Sequence, residues 1–457
     1  MHKIKTYIIY TAWCILLTVF AGCKKYLEQK PVSGVDTPDT LPELQGLLDR
    51  YSRLNINDPG SDEISSDDYY LTTSDWQSQN EQHRRMYIWE KDNLFPIPSL
   101  EWSSAYSSLY YANTVLEAID KIEPLPATKA DWNNIKGQAY FLRARLFFRI
   151  ANIWSLAYDK STASSDLGIP LRLTTDFNAP SQRNSAQETH TLIIDDLKNA
   201  LGLLDIVPKA VTRPSKPAAA GLLARVYLSM REYDSCYKYA DIAITYKNTL
   251  LNYNNSPEIK PTASFPFQPF NAEVIFYSLV NTPSILLNAR AKVDSNLYRS
   301  FDSNDLRKTL FFRSNNNGTY GFKGGYDGNI GLFTGICTDE LYLMRAELHA
   351  RAERLNEAAI DLNKLLVTRW KQGTYQPYFF NSKQDALNII LTERRKQLQM
   401  RCLRWLDIKR LNKEGYNISL RRIINAQEYV LDPNSLRFAL PIPEDIIKMT
   451  GMPQNPR

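Results

Sequence analysis

Aromatic and polar side chains gather in two segments of this sequence, and together they have the chemistry of a ligand-binding surface. Aromatic rings pack against the C–H faces of sugar rings, and carboxylate or amide groups pair with sugar hydroxyls. The candidate ligand contacts are Asp68, Tyr70, Trp76, Trp89 and Asn93 in the first segment, and Tyr298, Tyr320 and Tyr326 in the second. Each ring is equally able to pack the loop that carries it, because long loops need apolar contacts of their own.

The motifs do not indicate catalysis. The sequence has no GxSxG, HExxH or GxGxxG motif and no phosphate-binding P-loop. The acid pairs Asp67-Asp68 and Asp195-Asp196 have the residue types that glycoside hydrolysis uses. Adjacent acids are common on solvated helix faces, however, and the second pair falls on a predicted helix. We therefore expect no catalytic residue, no metal and no cofactor.

The first residues have the pattern of a lipoprotein signal peptide. Lys3 and Lys5 precede an apolar run over residues 7–20, which is short for a membrane span, and small residues then precede Cys23. We predict cleavage after residue 22 and acylation of Cys23, which anchors the chain to a membrane by lipid. The alternative is an ordinary secretory signal followed by a chance cysteine.

The net charge and the cysteine content further narrow the classes of function that the sequence allows. Loss of residues 1–22 removes two lysines and no acid, so the net charge falls from +6 to +4, which is too small to indicate nucleic-acid binding. Cys236, Cys337 and Cys402 remain beside the acylated cysteine, with no CxxC pair for zinc. At most one disulfide is possible, and three buried thiols are the simpler expectation.

Apolar spacing predicts a chain of paired helices. Residues 23–39 contain Pro31, Gly34 and Pro38 without apolar periodicity, which predicts a tether, and residues 40–457 form the body. Periods of three and four predict helices over residues 41–54, 99–122, 132–154, 189–204, 217–230, 233–246, 339–354, 356–370 and 382–411, and a strand over 273–277. Loop-rich insertions occupy about 55–98, with one short helix, and about 249–338.

Small residues at the expected crossing points give the helix pairs a repeat character. Ala219, Ala224 and Ala240 mark one pair, and Ala346 and Ala358 mark another. Such pairs are similar to tetratricopeptide repeats, which bury their apolar faces by stacking. The predicted fold is all-α dominated, a tetratricopeptide-like scaffold with repeat helices over about 99–248 and 339–411 and insertions that carry a little β-structure.

At the level of motifs, the whole chain resembles the SusD/RagB family of outer-membrane nutrient-binding lipoproteins. The matching stretches occur in the family's order: Cys23 with Tyr26-Leu27-Glu28 and Pro31; Tyr110-Tyr111-Ala112-Asn113; residues 139–144 with Phe147-Phe148; Gly168-Ile169-Pro170-Leu171; residues 340–347; Glu393-Arg394-Arg395 with Asp407-Ile408; Pro441-Ile442-Pro443-Glu444; and Gln454-Asn455-Pro456. The sequence departs from the family's penultimate signature at Gln397 and at Arg401-Cys402.

The resemblance implies a role and partners. It places the protein on the outer membrane, facing the exterior, where it binds a nutrient oligomer, most commonly a glycan, and delivers it to a SusC-like TonB-dependent barrel over which it acts as a lid. It also implies that the two insertions build the ligand platform, with the aromatic and polar candidates named above. The alternatives are a peptide ligand, a repeat adaptor without a small ligand, and, less favoured, a surface glycosidase.

The lipid anchor gives the first testable prediction. Cys23→Ala should abolish acylation and release the body from the membrane, because the predicted acceptor sulfur is gone. Metabolic labelling with a fatty-acid analogue, followed by membrane fractionation, measures both effects. Cys14→Ala is the matched control, since Cys14 lies inside the segment removed with the signal. Equal labelling of the wild type and Cys23→Ala would contradict the assignment.

Overall fold

The helix pairs expected from apolar spacing are present in the structure, a computed structural model that describes residues 38–457. The predicted signal peptide, Cys23 and most of the predicted tether lie outside the described residues. No helix within the described range is both long and apolar enough to cross a membrane. Residues 40–457 form one compact unit.

The first half of the body contains the longest helices. The elements up to residue 246 are α1 (Leu41–Leu48), α2 (Tyr51–Leu54), α3 (Ser61–Ser65), β1 (Tyr69–Tyr70), α4 (Thr73–Gln77), α5 (Glu81–Tyr87), α6 (Leu100–Ile119), α7 (Lys129–Trp154), β2 (Leu167–Pro170), β3 (Arg183–Ser185), α8 (Ala186–Leu203), α9 (Lys216–Met230) and α10 (Tyr233–Tyr246). Local signals fix several helix starts. Ser185 and Glu188 form a capping box at α8, and Pro217 occupies the first turn of α9.

The second half alternates short strands with helices. Its elements are β4 (Val274–Phe276), β5 (Lys292–Val293), α11 (Ser295–Arg299), α12 (Arg307–Phe311), β6 (Phe312–Ser314), β7 (Tyr320–Phe322), β8 (Ile336–Cys337), α13 (Thr338–Arg351), α14 (Leu355–Leu366), α15 (Lys383–Gln397), α16 (Arg404–Asn412), β9 (Leu420–Ile424), β10 (Gln427–Leu431) and α17 (Glu444–Thr450). Single turns of 3₁₀ helix cover Ser284–Leu286 and Leu436–Phe438. β4 confirms the predicted strand, whereas the β9–β10 hairpin had not been predicted.

Successive helices pack side by side, so that α6 to α10 and then α13 to α15 form a continuous helical stack. Ala224 and Ala346 are fully buried, as the repeat pattern predicted, and Ala144 on α7 is fully buried as well. A Cβ added at Gly221 would lie 2.9 Å from a methyl carbon of Ile336, so α9 packs tightly against β8. The fold is therefore the predicted one, an all-α dominated, tetratricopeptide-like scaffold with insertions.

Two helix predictions were too long. Residues 382–411 form α15 and α16 rather than one helix, and residues 41–54 form α1 and α2. The break between α15 and α16 lies at Met400 and Cys402, which both have φ of +56°. The backbone N–H of Cys402 donates to Glu63 Oε2 at 2.7 Å. This hydrogen bond joins residues that are more than 300 positions apart in the chain. It offsets the energetic cost of the left-handed backbone that ends α15.

Buried ion pairs connect the stack. Arg143 on α7 pairs bidentately with Asp196 on α8 at 2.7 and 2.8 Å. The prediction that Asp195-Asp196 lies on a solvated face is therefore wrong for Asp196, which is buried, while Asp195 is exposed. The charged stretch Glu393-Arg394-Arg395 also forms ion pairs, and Arg394 binds Asp407 at 2.8 Å.

The three cysteines of the body are buried and unpaired, in agreement with the simpler expectation. Burial raises the pKa of all three thiols: Cys236, Cys337 and Cys402. A buried thiol with a raised pKa has little thiolate at neutral pH and is chemically inert.

Replacement of Ala346 tests the helical stack. Ala346→Leu should destabilise the fold by about 1–3 kcal/mol, because the added carbons overpack a buried crossing between α13 and its neighbours. Thermal unfolding measures the loss. Ala130→Leu, at an exposed position of α7, is the control and should leave the midpoint unchanged. An Ala346→Leu protein as stable as the wild type would contradict the packing described above.

Glu63 gives a pH-dependent prediction. Burial, followed by the charges of Asp68 and Asp62, raises the pKa of Glu63 from 4.5 to about 8. The folded state keeps a proton that the unfolded chain releases above pH 4.5, so this carboxyl weakens the fold as the pH rises from about 4.5 to 8. Glu63→Gln keeps an acceptor for Cys402 and removes the titration.

The unfolding midpoint of Glu63→Gln should therefore fall less between pH 5 and pH 8 than that of the wild type. Differential scanning calorimetry at both values measures this difference. Glu357→Gln, at an exposed position of α14, should behave like the wild type. If the unfolding midpoints of the wild type and Glu63→Gln changed equally with pH, the assigned protonation of Glu63 would be contradicted.

Candidate ligand-binding site

The structure joins the two insertions in one small sheet. Its strand order is β1-β5-β7-β6, so β1 from the first insertion pairs with β5 and lies at the edge of a sheet whose other three strands belong to the second insertion. Tyr70 lies opposite Lys292, and Lys292 lies opposite Gly321. The segments that carry the predicted ligand contacts are therefore neighbours in space, although more than 200 residues separate them in the chain.

Two of the predicted aromatic contacts lie in the core. Trp89 is 1% exposed and donates its indole N–H to the Ser65 carbonyl at 3.0 Å. Tyr326 is fully buried and donates to Glu273 Oε2 at 2.7 Å, with the guanidinium of Arg401 over its ring. Protein atoms cover these rings, so neither has a face on which a ligand can stack.

Asp68 is also engaged inside the protein. Its Oδ1 accepts from Arg395 Nε at 2.9 Å, and the residue is 1% exposed. Burial raises the pKa of Asp68, although Arg395 opposes the shift. The role supported by these contacts is structural, because the carboxylate holds α15 to the first insertion.

The other predicted contacts remain accessible to different degrees. Tyr298 and Tyr320 are half-buried and stack on each other with ring centroids 3.6 Å apart. Trp76 is half-buried under the guanidinium of Arg84. The predicted contacts that keep solvent exposure are Tyr70, Trp76, Asn93, Tyr298 and Tyr320. Among these, the recorded ring and hydrogen-bond contacts bring together only Tyr298 and Tyr320.

A cleft lies between the two insertions, and we call it the insertion cleft. Its volume is about 260 Å³, and one wall comes from residues 57–104 and the other from residues 281–283. Met86, Leu94 and Phe95 form a buried apolar floor, and Leu100 at the rim is 68% exposed. The cleft therefore offers apolar surface to a ligand at both its floor and its rim.

Polar side chains without partners line the same cleft. The side chains of Asn57, Ser104 and Asn281 make no hydrogen bond within residues 38–457, and each is at least partly exposed. His83 contributes a buried Nδ1 that also has no partner there. Burial lowers the pKa of His83, so its ring is neutral at physiological pH. These groups can donate to and accept from a ligand at the same time.

The two carboxyl groups of the cleft are not available to a ligand. Asp58 accepts from Arg145 Nη1 at 2.7 and 2.8 Å and from the Thr334 hydroxyl at 2.6 Å. Glu101 accepts from the backbone N–H of Ser61 at 2.9 Å, and burial raises the pKa of Glu101. The accessible chemistry of the cleft is therefore neutral, with amide, hydroxyl and imidazole groups over an apolar floor.

These cleft residues are not among the ligand contacts predicted from the sequence, although the sequence carries a signal for them. Asn57 opens an Asn-Asp-Pro-Gly turn, and Asn281 opens an Asn-Thr-Pro turn. Polar turn residues inside ligand-carrying insertions are candidates for contacts, since loops carry function. Their proximity depends on the pairing of Asp58 with Val280 in the parallel bridge that joins the two turns.

Sequence comparisons match the first half of the chain. A SusD-like family model, described as starch-binding and associating with the outer membrane, matches residues 25–228. A SusD-like protein of Formosa agariphila is 30% identical over 151 residues. That match spans 32% of this chain and 26% of the relative, so it covers only about a quarter of the relative's length.

Structural comparisons extend the match to nearly the whole chain. A crystal structure from Bacteroides vulgatus has a TM-score of 0.73 at 23% identity and covers 92% of this chain and 99% of its own. A SusD superfamily protein of Bacteroides thetaiotaomicron has a TM-score of 0.73 at 22% identity, with coverage of 92% and 100%. A SusD-like carbohydrate-binding protein of Bacteroides vulgatus has a TM-score of 0.66 at 20% identity, with coverage of 91% and 97%. The chain is therefore similar to SusD-like proteins in sequence over residues 25–228, and its fold is similar to that of these solved structures over about nine-tenths of its length.

Proposed function

We propose that this protein binds a neutral oligosaccharide in the insertion cleft and releases it unchanged. The observation that carries the proposal is the set of unpartnered neutral polar groups over an apolar floor, at the junction of the two insertions. The matched family is described as starch-binding, and one structural neighbour as a carbohydrate-binding protein, which supports the choice of ligand.

The chemistry of the cleft suits a sugar. Each asparagine amide has donors and an acceptor, so Asn57 and Asn281 can pair with neighbouring hydroxyls of one ring. The apolar floor can cover the C–H face of the same ring and remove it from water. A charged ligand would find no free counter-charge there, because Asp58 and Glu101 are engaged.

The same engagement argues for binding rather than hydrolysis. Glycoside hydrolysis uses two carboxyl groups that reach the scissile bond, one to protonate the leaving oxygen and one to attack or to activate water. Asp58 is held by an arginine, and Glu101 is held by the backbone at the start of α3. Neither carboxyl is placed for transfer of a proton to a sugar.

We further propose that the acylated protein faces the exterior on the outer membrane and delivers its ligand to a SusC-like TonB-dependent barrel. The support is the lipoprotein pattern at Cys23, the family description as outer-membrane associated, and the rigid stack of repeat helices that can serve as a docking surface. In this arrangement the protein acts as a lid that holds the oligomer near the barrel entrance.

The accessible aromatic residues extend the proposed site to a longer oligomer. Trp76 donates its indole N–H to the carbonyl of Arg84, so it lies beside the helix that carries His83. Tyr70, Asn93, Tyr298 and Tyr320 remain proposed contacts for sugar units beyond the cleft. The buried Trp89, Tyr326 and Asp68 are not part of this proposal.

Substitution in the cleft tests the proposed function. Asn281→Ala and Asn57→Ala should each weaken oligosaccharide binding by about 1–2 kcal/mol, roughly five- to thirtyfold, because a pair of hydrogen bonds is lost. Isothermal titration with maltoheptaose, cellohexaose and xylohexaose measures the effect. Asn255→Ala is the control, since this asparagine is exposed and lines none of the cavities described here.

Two results would contradict the proposal. If both cleft variants bind every saccharide as tightly as the wild type while remaining folded, the sugar does not use the cleft. Chromatography of the recovered ligand tests for turnover, and any shortening of the chain would contradict a binding role. Retention of defined peptides instead of saccharides would favour the peptide alternative.

A further inference from the structure

A second and larger cavity lies on another flank of α6, and we call it the aromatic cavity. Its volume is about 500 Å³, within the range typical of small-molecule sites. The walls come from α6, from the loop over residues 170–181 and from α17 with the residues after it. It has no lining residue in common with the insertion cleft.

Aromatic rings dominate the wall formed by α6. Trp102, Tyr106 and Tyr110 recur every four residues and so lie along one face of the helix. The Trp102 and Tyr106 rings are 4.8 Å apart and form the inner part of the wall. Tyr110, which is 37% exposed, lies 5.1 Å from the ring of Phe177, which is 80% exposed. The outer part of the cavity therefore presents two large rings to solvent.

The loop that carries Phe177 is fixed from both sides. Arg172 donates to the Asp176 carbonyl at 2.6 Å and also to the Ala179 carbonyl. Glu117 on α6 accepts from the N–H and the hydroxyl of Thr175 at 2.8 and 2.6 Å. A preorganised loop loses little entropy when a ligand binds. The exposure of Phe177 is thus a property of a constrained loop.

Three further polar groups of the cavity are neutral and unpartnered, whereas Tyr106, Asn113 and Thr450 donate to backbone carbonyls. The hydroxyls of Ser103, Ser107 and Tyr110 make no hydrogen bond within the described part of the chain. The one charged side chain in the wall is Arg172, and the loop carbonyls occupy both of its terminal nitrogens. Exposed rings combined with free hydroxyls and no free charge match a ligand that has apolar faces and hydroxyl edges.

We propose that the aromatic cavity is a second saccharide site, specific for a neutral sugar and separate from the insertion cleft. The proposal rests on the proposed function for its ligand class, but not for its location. A sugar ring stacks against the Tyr110 and Phe177 rings and pairs its hydroxyls with Ser103 and Ser107. An apolar peptide segment would leave these hydroxyls unpaired in a buried contact, which costs binding energy.

The two sites lie on different flanks of the same helix. Ser104 lines the insertion cleft and Tyr110 lines the aromatic cavity, six residues apart on α6. At about 1.5 Å per residue they are separated by roughly 9 Å along the helix axis. A longer oligosaccharide that reached both sites would gain affinity through effective concentration.

Titration of site-specific variants tests the second site. The mature lipoprotein in detergent is titrated with maltoheptaose, cellohexaose and xylohexaose, and with the corresponding disaccharides. The wild type should bind two disaccharides per chain. Tyr110→Ala and Phe177→Ala should each reduce this number to one, or weaken one site at least tenfold. Tyr110→Phe keeps the ring and should lose less. Phe379→Ala is the matched control, because Phe379 is 81% exposed and lines neither site.

The outcomes separate the two proposals. Loss of one site in Asn281→Ala and of the other in Tyr110→Ala supports both. Wild-type binding by Tyr110→Ala and Phe177→Ala, with unchanged unfolding midpoints, overturns the second site and leaves the proposed function standing. Binding that is lost in Tyr110→Ala but unaffected in Asn281→Ala supports the second site and overturns the cleft. Binding of an apolar peptide alone, or of no saccharide at all, overturns both.

Discussion

Buried pairs of arginine and carboxylate determine how the insertions sit on the helical stack. Arg145 and Arg149 on α7 bind Asp58 and Asp62 of the first insertion at 2.7 to 3.1 Å, and all four side chains are at most 7% exposed. Removal of one partner would leave a buried charge, which typically costs about 3–5 kcal/mol. Asp58 also accepts from Thr334 of the second insertion, so one carboxylate connects α7 to both insertions.

These pairs also decide what chemistry the cleft can offer. The acids nearest the cleft hold the scaffold together, and only neutral groups remain free for a ligand. Amides and hydroxyls bind sugar hydroxyls and exchange easily with water, which suits the proposed role of binding an oligosaccharide and releasing it unchanged. A free carboxylate in the same place would invite hydrolytic chemistry or cations. The same buried ion pairs therefore stabilise the fold and leave the cleft without a free charge.

The sequence predicted the helical pairs well because a period of 3.6 residues is a local property. It did not predict the end of α15, since that end depends on Glu63, which accepts from the Cys402 N–H. Two of the aromatic candidates are buried for a related reason. In the sequence, Trp89 and Tyr326 look the same as aromatic residues that are exposed to a ligand. Only the packing of the insertions shows that both rings are buried. The insertions needed a core of their own, and these rings supply it.

The same reasoning explains where the exposed rings are found. Inside the second insertion, Tyr326, Phe267 and Phe311 belong to an apolar cluster, so their faces are covered. On α6, the spacing of Trp102, Tyr106 and Tyr110 is visible in the sequence as one helix face, which is ordinarily a sign of burial against a neighbour. The structure instead leaves the outer part of this face open, beside a constrained loop that adds one more ring. Periodicity identifies a face, but only the tertiary arrangement determines whether protein, solvent or ligand covers it.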